Sequence, residues 1–374
     1  MIRVIVVDDS AFMRRSISTL IEKDDQIKVV GIAVNGQDAL TKIKDLDPDV
    51  VTMDVEMPVM DGITALSNIM KSEPLPVIMV SSLTHQGADT TLRALEIGAV
   101  DFIAKEASSS LANLDSFSKE IIAKIHTFSR RKAFMRLVKR RQDKEASLAA
   151  SLGTRARQGL SPQKTGAAAP GSATARPRPR RNCDIVAIGV STGGPPAVQK
   201  VLEGLPADFP ASILIAQHMP AAFTGPFAKR LDGLCKLTVK EAEHGERLRS
   251  GHVYICPGGK HLRIERDSGF FVASVAEEPK EAIYKPSANE LMESVGLAMG
   301  PRALGVMLTG MGSDGLEGSR VLKDKGGVML AQNEATCVVY GMPKAVVDAD
   351  LADEVLAIEE MSQAILRYFD KTRP

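Results

Sequence analysis

The chain has few cysteines and none placed to work together. Its four, Cys183, Cys235, Cys256 and Cys337, lie far apart without a C-x-x-C pair. That argues against a disulfide framework or a structural zinc site and leaves buried or half-buried thiols as the expectation. No apolar run, Ile185–Val190 included, approaches the roughly 18 residues a membrane span needs. No basic, apolar, small-residue stretch precedes the strand-like run that opens at Ile2. The sequence therefore predicts a cytoplasmic chain without membrane insertion. What is present is ordinary for a globular protein: 44% apolar and 25% charged residues in 374, enough for two domains.

A net charge of +1 conceals a strong asymmetry. Residues Arg130 to Arg181 hold 15 Lys or Arg against 2 acidic residues, so the regions on either side are acidic together. The stretch Ser161–Arg181 is rich in Pro, Ala, Gly and Arg and lacks aromatic residues and any apolar period. It reads as a flexible or extended tether rather than a nucleic-acid site. About 36 such residues span roughly 30–36 Å, which permits the flanking domains to dock or to separate. The predicted organisation is 1–128, a linker over 129–182, and 183–374.

Both flanking regions alternate short apolar runs with amphipathic stretches, the signature of parallel α/β sheets. In the first, Arg3–Val7, Val29–Ala33, Asp49–Met53, Pro76–Val80 and Val100–Ala104 are the predicted strands, and Phe117, Ile121, Ile125 and Phe128 mark a closing helix. In the second, Ile185–Val190, Ser212–Ala216, Ala303–Leu308 and Gly327–Ala331 are strands, while the glycine-punctuated Lys236–Ala276 predicts a small β insertion. The fold class expected is α/β: a doubly wound, flavodoxin-like N-terminal domain and a C-terminal α/β domain.

Ligands of such sheets gather beyond the carboxyl ends of the strands. The first domain places Asp8 and Asp9 after strand one, Asp54 after strand three, Ser81 after strand four and Lys105 after strand five. Three carboxylates at one edge repel unless a hard cation such as Mg²⁺ sits among them. Asp54 is placed to accept a phosphoryl group, with Lys105 and Ser81 able to pair with its oxygens.

The second domain offers Gly189-Val190-Ser191-Thr192-Gly193-Gly194 after a strand. A serine on such a turn is exposed as a nucleophile, and this segment meets neither glycine-rich phosphate-loop spacing. His218 follows the next strand and Asp314 lies in the glycine-rich loop after Ala303–Leu308, so three strand ends can deliver a nucleophile, a base and its orienter. The order Ser, His, Asp differs from the Ser, Asp, His order of α/β-hydrolases. His244, His252 and His261, in the β-rich stretch, keep a structural assignment. A DNA-binding output would need a helix-turn-helix, which the second half does not offer, and a non-catalytic adaptor would need no triad.

Val7–Arg14 and Met53–Gly62 resemble response-regulator receivers, more narrowly those of the chemotaxis protein-glutamate methylesterases of the CheB family. Gly189–Gly194, Gln217–Pro220 and Leu308–Gly315 resemble that family's catalytic blocks. The resemblance implies phosphorylation at Asp54, with Mg²⁺ held by Asp9, Asp54 and the Glu56 backbone carbonyl and Asp8 in support. It implies Ser191 as nucleophile, His218 as base and Asp314 as orienter. Thr192 and Met311 would flank the nucleophile, Met311 through an oxyanion-binding backbone N–H. No cofactor is implied for ester hydrolysis. The implied substrates are chemoreceptor glutamate methyl esters, with glutamine deamidation alongside, and the implied phosphodonor is a sensor histidine kinase. One departure is Glu106, where receivers usually have proline after the strand-five lysine.

Overall fold

The computed structural model describes residues 1–105, 111–132, 135, 136 and 183–369. Glu106 and most of the basic linker (133, 134 and 137–182) lie outside the described residues.

The N-terminal sheet is built from β1 (Ile2–Val7), β2 (Ile27–Ala33), β3 (Val50–Asp54), β4 (Val77–Ser82) and β5 (Asp101–Lys105). All pairings are parallel, in the order β2-β1-β3-β4-β5. Helices α1 (Ala11–Ile21), α2 (Gly36–Leu46), α3 (Gly62–Ser72), α4 (His85–Ile97) and α5 (Leu111–Ser129) connect and cover it. Ser10, Asn35, Asp61 and Thr84 cap the first four helices by accepting a backbone N–H, which fixes where each strand gives way to helix. The predicted α5 face is present: Ile121, Ile125 and Phe128 are fully buried.

The C-terminal sheet has seven parallel strands in the order β14-β13-β12-β6-β7-β9-β8. These are β6 (Ile185–Val190), β7 (Ser212–Gln217), β8 (Thr238–Glu241), β9 (His252–Ile255), β12 (Ala303–Met307), β13 (Val328–Gln332) and β14 (Glu354–Leu356). The stretch expected to be an insertion divides its allegiance. Strands β8 and β9 extend the main sheet, and only β10 (His261–Asp267) and β11 (Phe270–Ala276) form a separate antiparallel hairpin. The helices are α6 (Gly194–Glu203), α7 (Ala221–Leu234), α8 (Ala288–Met299), α9 (Leu316–Asp324), α10 (Met342–Asp348) and α11 (Ile358–Arg367). Strands β6, β7, β12 and β13 are buried along their whole length, as a sheet covered on both faces requires. Cys183, Cys256 and Cys337 are buried and Cys235 half-buried. Among the described residues, no helix is long and apolar enough to cross a membrane.

The chain order reverses between β1 and β3 in the first sheet and between β6 and β12 in the second, where it reverses again at the β9–β8 edge. Crevices at such switch points are where doubly wound sheets bind ligands.

Candidate active site

At the first switch point, oxygens of Asp8, Asp9 and Asp54 lie within 4.8 Å of one another. Asp8 and Asp54 are buried, whereas Asp9 is exposed. Lys105 Nζ stands 2.8 Å from both Asp8 Oδ2 and Asp54 Oδ2. The pair with Asp8 is close but poorly aimed, so Asp8 Oδ2 is a buried oxygen without a directed hydrogen bond. Burial pushes the Asp54 carboxyl above the usual carboxylate range, with Lys105 only partly offsetting it and Asp8 adding repulsion. Burial works against the Lys105 ammonium, but its pairing with the Asp54 and Asp8 carboxylates outweighs this and holds it above its ordinary value. Ser81 is buried in β4, and its hydroxyl donates to the Gly87 carbonyl (3.3 Å) rather than to Asp54. Glu56 sits on the exposed turn after β3.

At the second switch point, β6 delivers Ser191, and its neighbours β7 and β12 deliver His218 and the loop bearing Asp314. The turn after Ser191 needs glycine: Gly193 has φ +73°, and a Cβ there would fall 2.3 Å from Val338. His218 Nε2 is 2.7 Å from Asp314 Oδ2. A carboxylate only accepts, so Nε2 carries the proton and Nδ1 is the basic nitrogen. Asp314 also accepts from Ser287 Oγ (2.9 Å), Ala288 N–H (2.6 Å) and Asn289 N–H (3.2 Å), the first turn of α8. Burial alone would push its carboxyl up, but His218, Ala288 and Ser287 together hold it below the usual range. Among the described residues, no hydrogen bond links Ser191 Oγ to His218. Such an arrangement can still supply a nucleophile, a base and a fixed orienter on three adjacent strand ends.

Four side chains outside the predicted set complete the surroundings. Gln217 Nε2 donates to the carbonyls of Ser191 (3.0 Å) and His218 (3.1 Å), tying the two turns together. Ser287 holds Asp314, and Tyr284 lies flat on the His218 ring. Asp101 of the N-terminal domain accepts at Oδ2 from Thr192 Oγ1 (3.0 Å). Of these, Gln217 was legible beside His218, while the others sit in segments with no motif of their own.

The N-terminal domain covers this edge. A cavity of about 710 Å³ has Ser191, Thr192, His218 and Met311 on one side and Asp101, Phe102, Phe117 and Lys124 on the other. Phe102 stacks on Phe223 of α7 at 4.6 Å, and Arg230 of α7 pairs with Glu96 of α4. Arg131 donates to the Val338 carbonyl (2.8 Å), and Thr127 Oγ1 contacts Met311 Sδ at 3.4 Å. His261 is buried away from this edge, in β10, and His252 belongs to β9. The loop Gly310–Gly315, between β12 and α9, spells G-x-G-x-x-G, yet its Asp314 faces His218, so that spacing does not by itself mark a dinucleotide site.

The CheB methylesterase family model matches residues 186–365, and the response regulator receiver domain model matches residues 4–114. The chain is 56% identical to a protein-glutamate methylesterase/protein-glutamine glutaminase of Oleidesulfovibrio alaskensis, over 98% of this chain and 99% of that one. It is 54% identical to the protein of the same name from Lawsonia intracellularis, over 98% of each chain.

Proposed function

The chain belongs to the CheB methylesterase family, and from that membership we propose that it hydrolyses glutamate γ-methyl esters of chemoreceptors and deamidates their glutamines, under control of its receiver. The observation that carries this reading is the His218–Asp314 pair beside Ser191 on neighbouring strand ends.

In the proposed reaction, Ser191 Oγ attacks the ester carbonyl as His218 Nδ1 takes its proton. Asp314 keeps the other ring nitrogen protonated and balances the imidazolium. The Met311 backbone N–H stabilises the oxyanion, with Thr192 beside it. His218 returns the proton to the leaving methoxide, giving methanol. A water activated by the same nitrogen then hydrolyses the acyl-enzyme to glutamate. With a glutamine substrate, ammonia leaves instead.

Asp54 is the proposed phosphorylation site, fed by a sensor histidine kinase in the cytoplasm. Mg²⁺ suits the donor set, because the three acidic side chains converge and Asp8 Oδ2 lacks a directed hydrogen bond. Asp9, Asp54 and the Glu56 carbonyl would hold it with Asp8 in support, and it would offset the charge gathered on the phosphoryl group. Lys105 is within reach of that group. Ser81 would have to turn from Gly87 to join it. The unmodified receiver docks over the Ser191 edge, and about −1.5 to −2 added charges at Asp54 weaken that docking. The Asp101–Thr192 and Phe102–Phe223 contacts support this account.

The test is methanol release from a methyl-esterified receptor fragment, with and without Mg²⁺ and a small phosphodonor. Release that rises with phosphodonor is expected; no release in either condition overturns the esterase assignment.

A further inference from the structure

We propose that Tyr284 is a positioning residue for the reaction, its ring setting the plane of the His218 imidazole. The proposal rests on the assignment of Ser191, His218 and Asp314 above. The two rings lie nearly parallel, with centroids 4.3 Å apart and an angle of 8° between planes. A single hydrogen bond from Nε2 to Asp314, at 2.7 Å, holds one end of the imidazole but leaves rotation about that bond free. A flat surface against one face removes that freedom and directs Nδ1. Proton transfer from Ser191 depends on this angle, because base and donor must be aligned as well as near.

Core packing does not account for Tyr284. It is 38% exposed and belongs to no hydrophobic cluster among the described residues. Its hydroxyl has no hydrogen-bond partner among them either, so the ring is the working part. The hydroxyl lies 3.2 Å from where a Cβ on Gly312 would be, which seats the side chain against the loop that also carries Met311 and Asp314. Its own segment is anchored on the C-terminal side of the ring. The next residue, Lys285, accepts from Gly259 N–H (3.1 Å), and Ser287 both caps α8 and donates to Asp314 (2.9 Å). Four consecutive residues thus touch the base through Tyr284 and its orienter through Ser287.

The experiment uses the full chain with phosphodonor and a methylated receptor fragment, comparing Tyr284→Ala, Tyr284→Leu and Tyr284→Phe with Ser191→Ala. Alanine and leucine should each lower kcat about tenfold with KM changed by less than about twofold, and phenylalanine should restore both to within about twofold. Leucine keeps apolar bulk without a flat face, so a wild-type rate for Tyr284→Leu overturns the proposal even if Tyr284→Ala fails to fold. A raised KM at unchanged kcat also overturns it and makes Tyr284 a substrate contact. Activity in Ser191→Ala would instead remove the triad assignment on which the proposal stands.

Discussion

Asp54 and Asp314 are both buried carboxylates at a switch point of a parallel sheet, yet their surroundings treat them oppositely. Asp314 has three donors from the start of α8 besides His218, and it is held below the usual carboxylate range. Asp54 has Lys105 and the Val55 N–H against a neighbouring carboxylate, and burial leaves it raised. The difference follows from the tasks proposed for them. An orienter must stay anionic and still, so its charge is satisfied in advance. A phosphoryl acceptor must gain by reacting, so its charge is left under-supported until the added group and a cation arrive. Equal burial therefore carries no functional meaning by itself; the donor set decides.

The largest effect that tests this division is Ser191→Ala, expected to lower kcat on the order of 10⁶-fold while leaving Asp54 phosphorylation intact. Methanol release within tenfold of wild type, or loss of phosphorylation, breaks the separation of the two sites. Next comes Asp54→Asn, which should keep basal methanol release but lose the whole response to phosphodonor. A response that survives places the switch elsewhere. Phe102→Ala removes the stack on Phe223. It should raise the release of the unmodified chain roughly 3- to 10-fold, toward the phosphorylated level; an unchanged rate rules out that contact as part of the restraint.

The smallest effect sharpens the comparison most. The depressed value at Asp314 contributes stability above the unfolded carboxylate range, lost as pH falls through the folded value. The raised value at Asp54 does the reverse, favouring the fold at low pH and losing that contribution as pH rises through the folded value. At pH 7, Asp314→Asn should thus lower the melting temperature of its domain, and Asp54→Asn should raise that of its own. Both differences should shrink on acidification. Calorimetry showing the same sign for the two substitutions would contradict the contrast.

Much of this was legible because strand ends are marked twice in sequence, by an abrupt stop of apolar residues and by the polar residue that follows. Asp8, Asp54, Lys105, Ser191 and His218 all sit at such stops, and Asp314 in the glycine-rich loop that follows one. What escaped was long-range. Nothing in Asp101 tells of Thr192, 91 positions away, and Tyr284 and Ser287 reach the site only because β10 and β11 precede α8 and bring its start to the β12 loop. The lateral order β7-β9-β8 escaped for a related reason: glycine turns predict where short strands end but not which edge they join. Ser81 shows a further limit, since position at a strand end does not fix where a hydroxyl points.

Strand β5 is read from both ends: Lys105 pairs with Asp54, the proposed phosphorylation site, while Asp101 and Phe102, at its start, grip the esterase. Five residues thus carry both contacts, and the receiver is not an interchangeable part. A receiver transplanted from another protein would bring its own aspartates and lysine and keep its phosphorylation chemistry. Unless its fifth strand also opened with this Asp–Phe pair, the chimera would accept a phosphoryl group without the Asp101–Thr192 and Phe102–Phe223 contacts to release.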